Sequence, residues 1–298
     1  MTPRAVREQL LAGFLVCLGV LIATFPAYGQ KNENNPDKIG HRTVARKSII
    51  SPEKEGGIGK AYAEQFEKSA ELVQDSVVQQ YVTSVAGNVV SHSDWKGPVA
   101  VKVLKSPQVN SASFPGGFIY LSSGLLLAAE NDDEIAAVIA HQVAHAAARH
   151  WASDVTKATI MQFAMIPLLF IPPNTSALSQ FLPAAPGIVV CGGYIDHGGL
   201  NMAVPYLNLK YLRQNEMEAD YLGLQYVYKA GYDPSAYVAF LSRLPPENAI
   251  SQSNHDSSRA TPPVSERIAQ AEKEIRKILP NAPQPRSSPE LDLMKSHL

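Results

Sequence analysis

The chain has 298 residues, 45% of them hydrophobic and 18% charged, with 22 Pro, 19 Gly and 2 Cys. That composition excludes wholesale disorder, a collagen-like fibre and a disulfide framework, and the length suits one large domain or two small ones. Lys and Arg total 26 against 27 Asp and Glu, a formal net charge of −1, which gives no sign of nucleic acid as a partner.

Arg4 and Arg7 precede an apolar run from Leu10 to Phe25, followed by Pro26 and the small-residue exit Ala27-Tyr28-Gly29. A positive start, an apolar middle and such an exit describe a secretory signal peptide over residues 1–29, cut after Gly29. The alternative is an uncleaved anchor, for which Leu10–Phe25 is short. Cys17 lies inside the apolar run behind Val16, where a lipoprotein would need a small residue. Cleavage leaves Cys191 as the single thiol, so the mature chain forms no internal disulfide. Export to a periplasm or the cell exterior follows, with no membrane span expected in the mature chain.

Residues 30–57 are polar and aperiodic and read as a linker before a domain over residues 58–280. Helical spacing begins near Ile58, and Val77, Val78, Tyr81, Val82, Val85 and Val89 form one apolar stripe. Val99–Leu104 predicts a strand, Asn110–Phe114 a second, irregular one, and Phe118–Leu121 a third after Pro115-Gly116-Gly117. A helix is expected from Asp132 to about Ala152, with Asn131 as N-cap and Glu134 placed as in a capping box. Residues 160–206 are apolar and interrupted by Pro and Gly. Ile160–Ile171 is too short to span a membrane and reads as a packed hairpin or a surface lid. Further helices are expected over Asn215–Ala230, closed by Gly231, and over Pro234–Leu244 and Val264–Leu279. Residues 281–298 read as a polar tail with one turn near Leu291.

Three of the eight histidines fall within ten residues: His141, His145 and His150. His141 and His145 stand at i and i+4, so their rings share one helical face and can meet one Zn²⁺. A histidine pair of this spacing also arises by chance. The acids Glu216, Glu218 and Asp220 open a later, otherwise apolar helix. Acids at a helix N-terminus are common for their own electrostatic reasons. If the two imidazoles lie opposite, however, Glu216 completes a His₂Glu shell with a position left open, the pattern of catalytic zinc. His150 is about 140° around the helix from His145 and reads as a buried, hydrogen-bonded histidine rather than a ligand.

These residues, with others in order, resemble the zinc metallopeptidases of the CAAX prenyl endopeptidase, HtpX and BepA type. The resemblance is carried by Asn110–Gly117 (NSASFPGG), Phe118–Leu125 (FIYLSSGL), Asp133–His150 (DEIAAVIAHQVAHAAARH), Glu216–Asp220 and Gly231-Tyr232-Asp233-Pro234. It implies an α+β architecture, a mainly helical zincin-like domain of gluzincin type with a small sheet and an edge strand. It also implies one Zn²⁺ on His141, His145 and Glu216, with Asp220 as a supporting acid. Asn110, Ser111, Ala112, Ser113 and Phe114 would be the edge along which an extended or unfolded polypeptide lies.

Two positions depart from the family pattern. Where the family has His-Glu-x-x-His, this chain has Gln142, and an amide cannot accept the proton that the Glu takes as general base. The loss is worth about 10²–10⁴ in rate. Where the family has His-Pro-Pro, this chain has Thr261-Pro262-Pro263; the Arg six residues after that position remains as Arg267. Four readings follow: an impaired zinc-binding relative, an active endopeptidase with Glu218, Asp220 or His255 as substitute base, a lone carboxyl-to-amide change in an ordinary site, or a metal-free structural protein.

Overall fold

The structure, a computed structural model, describes residues 35–165, 192–197, 200–205, 209–244, 262–278 and 288–298. The expected signal peptide, Thr261, His255 and Cys191 lie outside the described residues. So does most of the segment read as a lid, of which the described parts are a helix end at Met165 and an antiparallel hairpin, Gly192–His197 with Leu200–Pro205.

The fold is α+β and mainly helical. Helices α1 (Pro52–Glu67) and α2 (Ser76–Ser91) precede strands β1 (Ala100–Leu104), β2 (Ser111–Phe114) and β3 (Phe118–Ser122). The short helix α3 (Ser123–Ala128) follows, then α4 (Asp132–Ala148) and α5 (His150–Met165). The hairpin strands are β4 and β5, and α6 (Leu209–Lys229), α7 (Ser235–Arg243), α8 (Val264–Ile278) and α9 (Pro289–Ser296) complete the described elements. β3 is central in the three-stranded sheet: it pairs parallel with β1 (Val101 opposite Ile119) and antiparallel with β2 (Ser113 opposite Ile119). β2 is therefore an edge. Among the described residues no helix is long and apolar enough to cross a membrane.

The core forms where the expected stripe of α2 (Val78, Tyr81, Val82, Val85, Val89) and the inward residues of β1 and β3 cover α4. α4 is buried along nearly its whole length, as its run of Ala, Val and Ile requires. Asn131 caps it through Oδ1, which accepts the Glu134 N–H at 3.0 Å. The return bond differs from a capping box: the Glu134 carboxylate accepts the Glu130 N–H at 2.9 Å.

Three expectations need correction. The helix from Asp132 stops at Ala148 rather than Ala152, because Arg149 takes a left-handed conformation (φ 56°) before α5 starts. Its side chain explains why a non-glycine residue is held there: Nε meets Glu55 at 2.7 Å and Nη2 the Ile50 carbonyl at 2.6 Å. Residues 35–57 are not a free linker. α1 begins at Pro52, capped by Ser51, and Val44, Ile50 and Glu55 are buried. α1 docks through Tyr62 and Phe66, whose rings stand edge-on to Phe114 and Tyr120 at 5.0–6.4 Å. The turns of α1 before Ile58 hold Gly56 and Gly57 and no apolar period, so the expected helix begins late. Residues 288–298, read as part of a polar tail, carry α9, whose Leu291 and Met294 are 1% and 0% exposed.

Leu291→Ala should therefore cost about 2–5 kcal/mol of stability in urea unfolding, as core truncations do. Leu293→Ala, at a side chain 52% exposed on the same helix, should stay within about 0.5 kcal/mol. Equal effects would mean that α9 is not packed as described.

Candidate metal centre

The centre lies where α4 crosses α6. Ala137, Ala140 and Ala144 keep that face of α4 low. On α6 a glycine stands at the crossing, where a Cβ on Gly223 would be 3.1 Å from the His141 backbone nitrogen, tighter than ordinary packing. At this separation one turn of α4 meets the start of the acidic run on α6.

His141, His145 and Glu216 converge. His141 Nε2 is 3.1 Å from His145 Nε2 and 3.4 Å from Glu216 Oε2, and His145 Nε2 is 3.3 Å from Glu216 Oε1. A tetrahedral shell with metal–ligand bonds of ~2.0–2.1 Å has edges of about 3.3 Å, so the three donors already have the spacing of one face of zinc coordination. The donor chemistry fits as well. Both imidazoles present Nε2 to the common point and have Nδ1 engaged elsewhere, which is how neutral ligand histidines are held.

Asp220 engages the first ring, its Oδ1 2.9 Å from His141 Nδ1. Arg267 grips the same carboxylate with two bonds, Nε to Oδ2 at 2.8 Å and Nη2 to Oδ1 at 2.7 Å. Tyr237, on α7, donates its hydroxyl to Asp220 and accepts from Arg267 at 2.5 Å. Burial alone would raise the Asp220 pKa. The Arg267 guanidinium and His141 outweigh it and hold it at about 2. Glu216 is likewise held well below the usual carboxylate range against its burial, by the two imidazoles. For His141, burial works against the charged form, but Asp220 and Glu216 raise its pKa overall.

Arg267 therefore sits 4.0 Å from Glu216 with its guanidinium committed to Asp220. Gln142 follows His141 on α4, and its amide nitrogen donates to Ser111 Oγ at 2.9 Å. Ser111 opens β2, so the residue at the general-base position is tied to the edge strand. Ser111, Ala112 and Ser113 are partly exposed and Phe114 is buried; Asn110, just outside the strand, gives its N–H to Ser122 Oγ at 3.0 Å. Glu218 faces away from the three donors, toward His150 at 3.4 Å and Arg46, which donates to it. His150 lies behind His145, Nδ1 to Nδ1 at 2.9 Å.

Tyr237 and Arg46 escaped sequence reasoning. Tyr237 shares a local pattern with core residues of α7, and Arg46 lies in a segment without periodicity. The only hint for Tyr237 was its place on the helix after Gly231-Tyr232-Asp233-Pro234.

Residues 73–275 match the model of Peptidase family M48. The chain is 27% identical over 242 residues to the beta-barrel assembly-enhancing protease of Escherichia coli (strain K12), an alignment covering 81% of this chain and 47% of that protein. It is 30% identical over 240 residues to a putative beta-barrel assembly-enhancing protease of Vibrio cholerae, covering 78% and 46%. Over 134 residues it is 37% identical to the mitochondrial metalloendopeptidase OMA1 of Arabidopsis thaliana, covering 45% of this chain and 23% of that protein. The chain thus spans about half the length of the beta-barrel assembly-enhancing relatives. With its two-histidine, one-glutamate centre and this match over most of its length, the chain belongs to peptidase family M48, a family of zinc metallopeptidases.

Proposed function

We propose that the chain is an exported, zinc-binding relative of the envelope metalloendopeptidases that holds extended polypeptide and hydrolyses it poorly. The observation that carries this reading is Gln142, which follows the first candidate ligand histidine and donates its amide to Ser111 of the edge strand. Zinc held by His141, His145 and Glu216 supplies Lewis-acid activation of water and of a peptide carbonyl. The remaining task, accepting a proton, falls to the residue after the first ligand histidine. An amide cannot perform it near neutral pH.

The carboxylates weighed as substitute bases are committed elsewhere. Asp220 is clamped by Arg267 and Tyr237 against the far nitrogen of His141. Glu218 is paired with Arg46 behind His145. Both are held below the usual carboxylate pKa although burial opposes it, so they make weak proton acceptors. Binding remains supported: β2 is a sheet edge, and an extended segment laid along it meets Ser111 beside Gln142. The names of the relatives, proteases that enhance beta-barrel assembly, support a polypeptide client. Arg4, Arg7 and the run Leu10–Phe25 support export, to a periplasm or the exterior.

The purified chain should carry about one zinc ion by elemental analysis, and His145→Ala should lose it. Chelation should lower the melting temperature of the wild type and leave that of His145→Ala unchanged, since only a ligand of the native state stabilises it. A zinc-free wild type, or full zinc in His145→Ala, would contradict the site.

Gln142→Glu should cleave an unfolded casein-type substrate at least ~10²-fold faster than the wild type, at equal zinc content. Equal, zinc-dependent cleavage by both proteins would show that another base acts.

A further inference from the structure

The two ligand histidines are held by different means. His141 places Nδ1 directly against Asp220. Among the described residues, the neighbour of His145 Nδ1 is no carboxylate but the ring of His150, Nδ1 to Nδ1 at 2.9 Å. One of those two nitrogens must carry the proton and the other the lone pair. Which does so decides whether Nε2 of His145 offers a lone pair to the ligand trio or a hydrogen.

His150 is 3% exposed, and a contact of 2.9 Å between two ring nitrogens requires one of them to accept. Its Nε2 is buried without a hydrogen-bond partner among the described residues and faces Glu218 Oε2 across 3.4 Å. With the proton on Nε2, the ring points N–H at that carboxylate and leaves Nδ1 as an acceptor for His145. His145 then donates from Nδ1 and keeps the Nε2 lone pair for the trio. The opposite tautomer sets a lone pair against the carboxylate and puts a hydrogen where a metal must bind. The charge of Glu218 therefore selects the arrangement.

Glu218 owes its place to Arg46. That guanidinium donates to Glu218 and, through Nη1, to Asn215 Oδ1 at 2.6 Å. The Arg46 N–H bonds the carbonyl of Ala148, the last residue of α4, at 3.0 Å. One residue of the N-terminal strap thus spans the end of the ligand helix and the start of the acidic run on α6.

We infer that Arg46 is a positioning residue for the metal centre, acting through Glu218 and His150 to hold the ring and tautomer of His145. The inference rests on the zinc-binding reading above. Zinc affinity of the full chain, by chelator competition, and the visible spectrum of its Co²⁺ form test it. Arg46→Ala should weaken zinc about 10–100-fold and change the Co²⁺ bands, the scale seen when residues supporting metal ligands are removed. Arg46→Lys should restore part of the affinity.

Ser48 supplies the control. Its hydroxyl also ties the strap down, to the Ala152 carbonyl at 3.0 Å and Thr156 Oγ1 at 2.9 Å, but does not touch Glu218. Ser48→Ala should lower stability while leaving zinc affinity within about twofold. His150→Ala should weaken zinc as Arg46→Ala does, and the double variant should be no weaker than His150→Ala alone, because the two act on one path. If Arg46→Ala does not fold, Glu218→Gln takes its place and should weaken zinc about tenfold.

Zinc affinity in Arg46→Ala equal to that of Ser48→Ala, or additive losses in the double variant, would overturn the inference and leave the metal site standing. A wild type that binds no zinc would overturn both.

Discussion

Glu216 reaches the two imidazoles of α4 only because α4 and α6 cross closely. A single side chain at Gly223 would meet the backbone of His141 at 3.1 Å. The alanines of α4 remove bulk on the other side. Close packing of this kind buries Glu218 and Asp220 and leaves Glu216 only partly exposed, and burying unpaired charge is costly. Each acid of the run therefore has a cationic or imidazole partner: Glu216 the two ligand rings, Asp220 Arg267 and His141, Glu218 Arg46 and His150. The helix crossing and the charge network form one arrangement. α8 and the strap before α1 are placed where they supply Arg267 and Arg46, and α7 adds the Tyr237 hydroxyl to Asp220.

The parts of this arrangement legible in the sequence are the local ones. The i, i+4 histidines, the acidic opening of α6, the β-branched strands and the Gly231 stop each produce a pattern within one element. The strap does not. Arg46 and Glu218 are 172 residues apart, and an ion pair at that separation leaves no trace in periodicity. α9 hid for a related reason: two buried residues, Leu291 and Met294, are too few to form a stripe. The stop at Arg149 hid because glycine is the usual sign of a left-handed cap, whereas here salt bridges from Arg149 to Glu55 hold an arginine in that conformation. The expected edge strand was visible in Ser111–Phe114, but its bond to Gln142 was not.

That bond gives the amide at position 142 a structural meaning. In the family pattern the residue after the first histidine is a free carboxylate. Here the amide joins α4 to β2, the edge strand of the sheet. The proposed loss of hydrolysis rests on that replacement of carboxylate by amide, with the three candidate metal donors kept in place. Family membership and edge-strand geometry are compatible with the proposed binding role.

The account stands on one position in space, the point shared by His141 Nε2, His145 Nε2 and the Glu216 carboxylate. Anomalous diffraction at the zinc absorption edge, on crystals of the purified chain, examines that point directly. It should show a single zinc peak at ~2.0–2.2 Å from each of the three donors, with Gln142 outside the coordination shell and bonded to Ser111. No peak between α4 and α6, or a zinc ion ligated by other residues, would contradict the account.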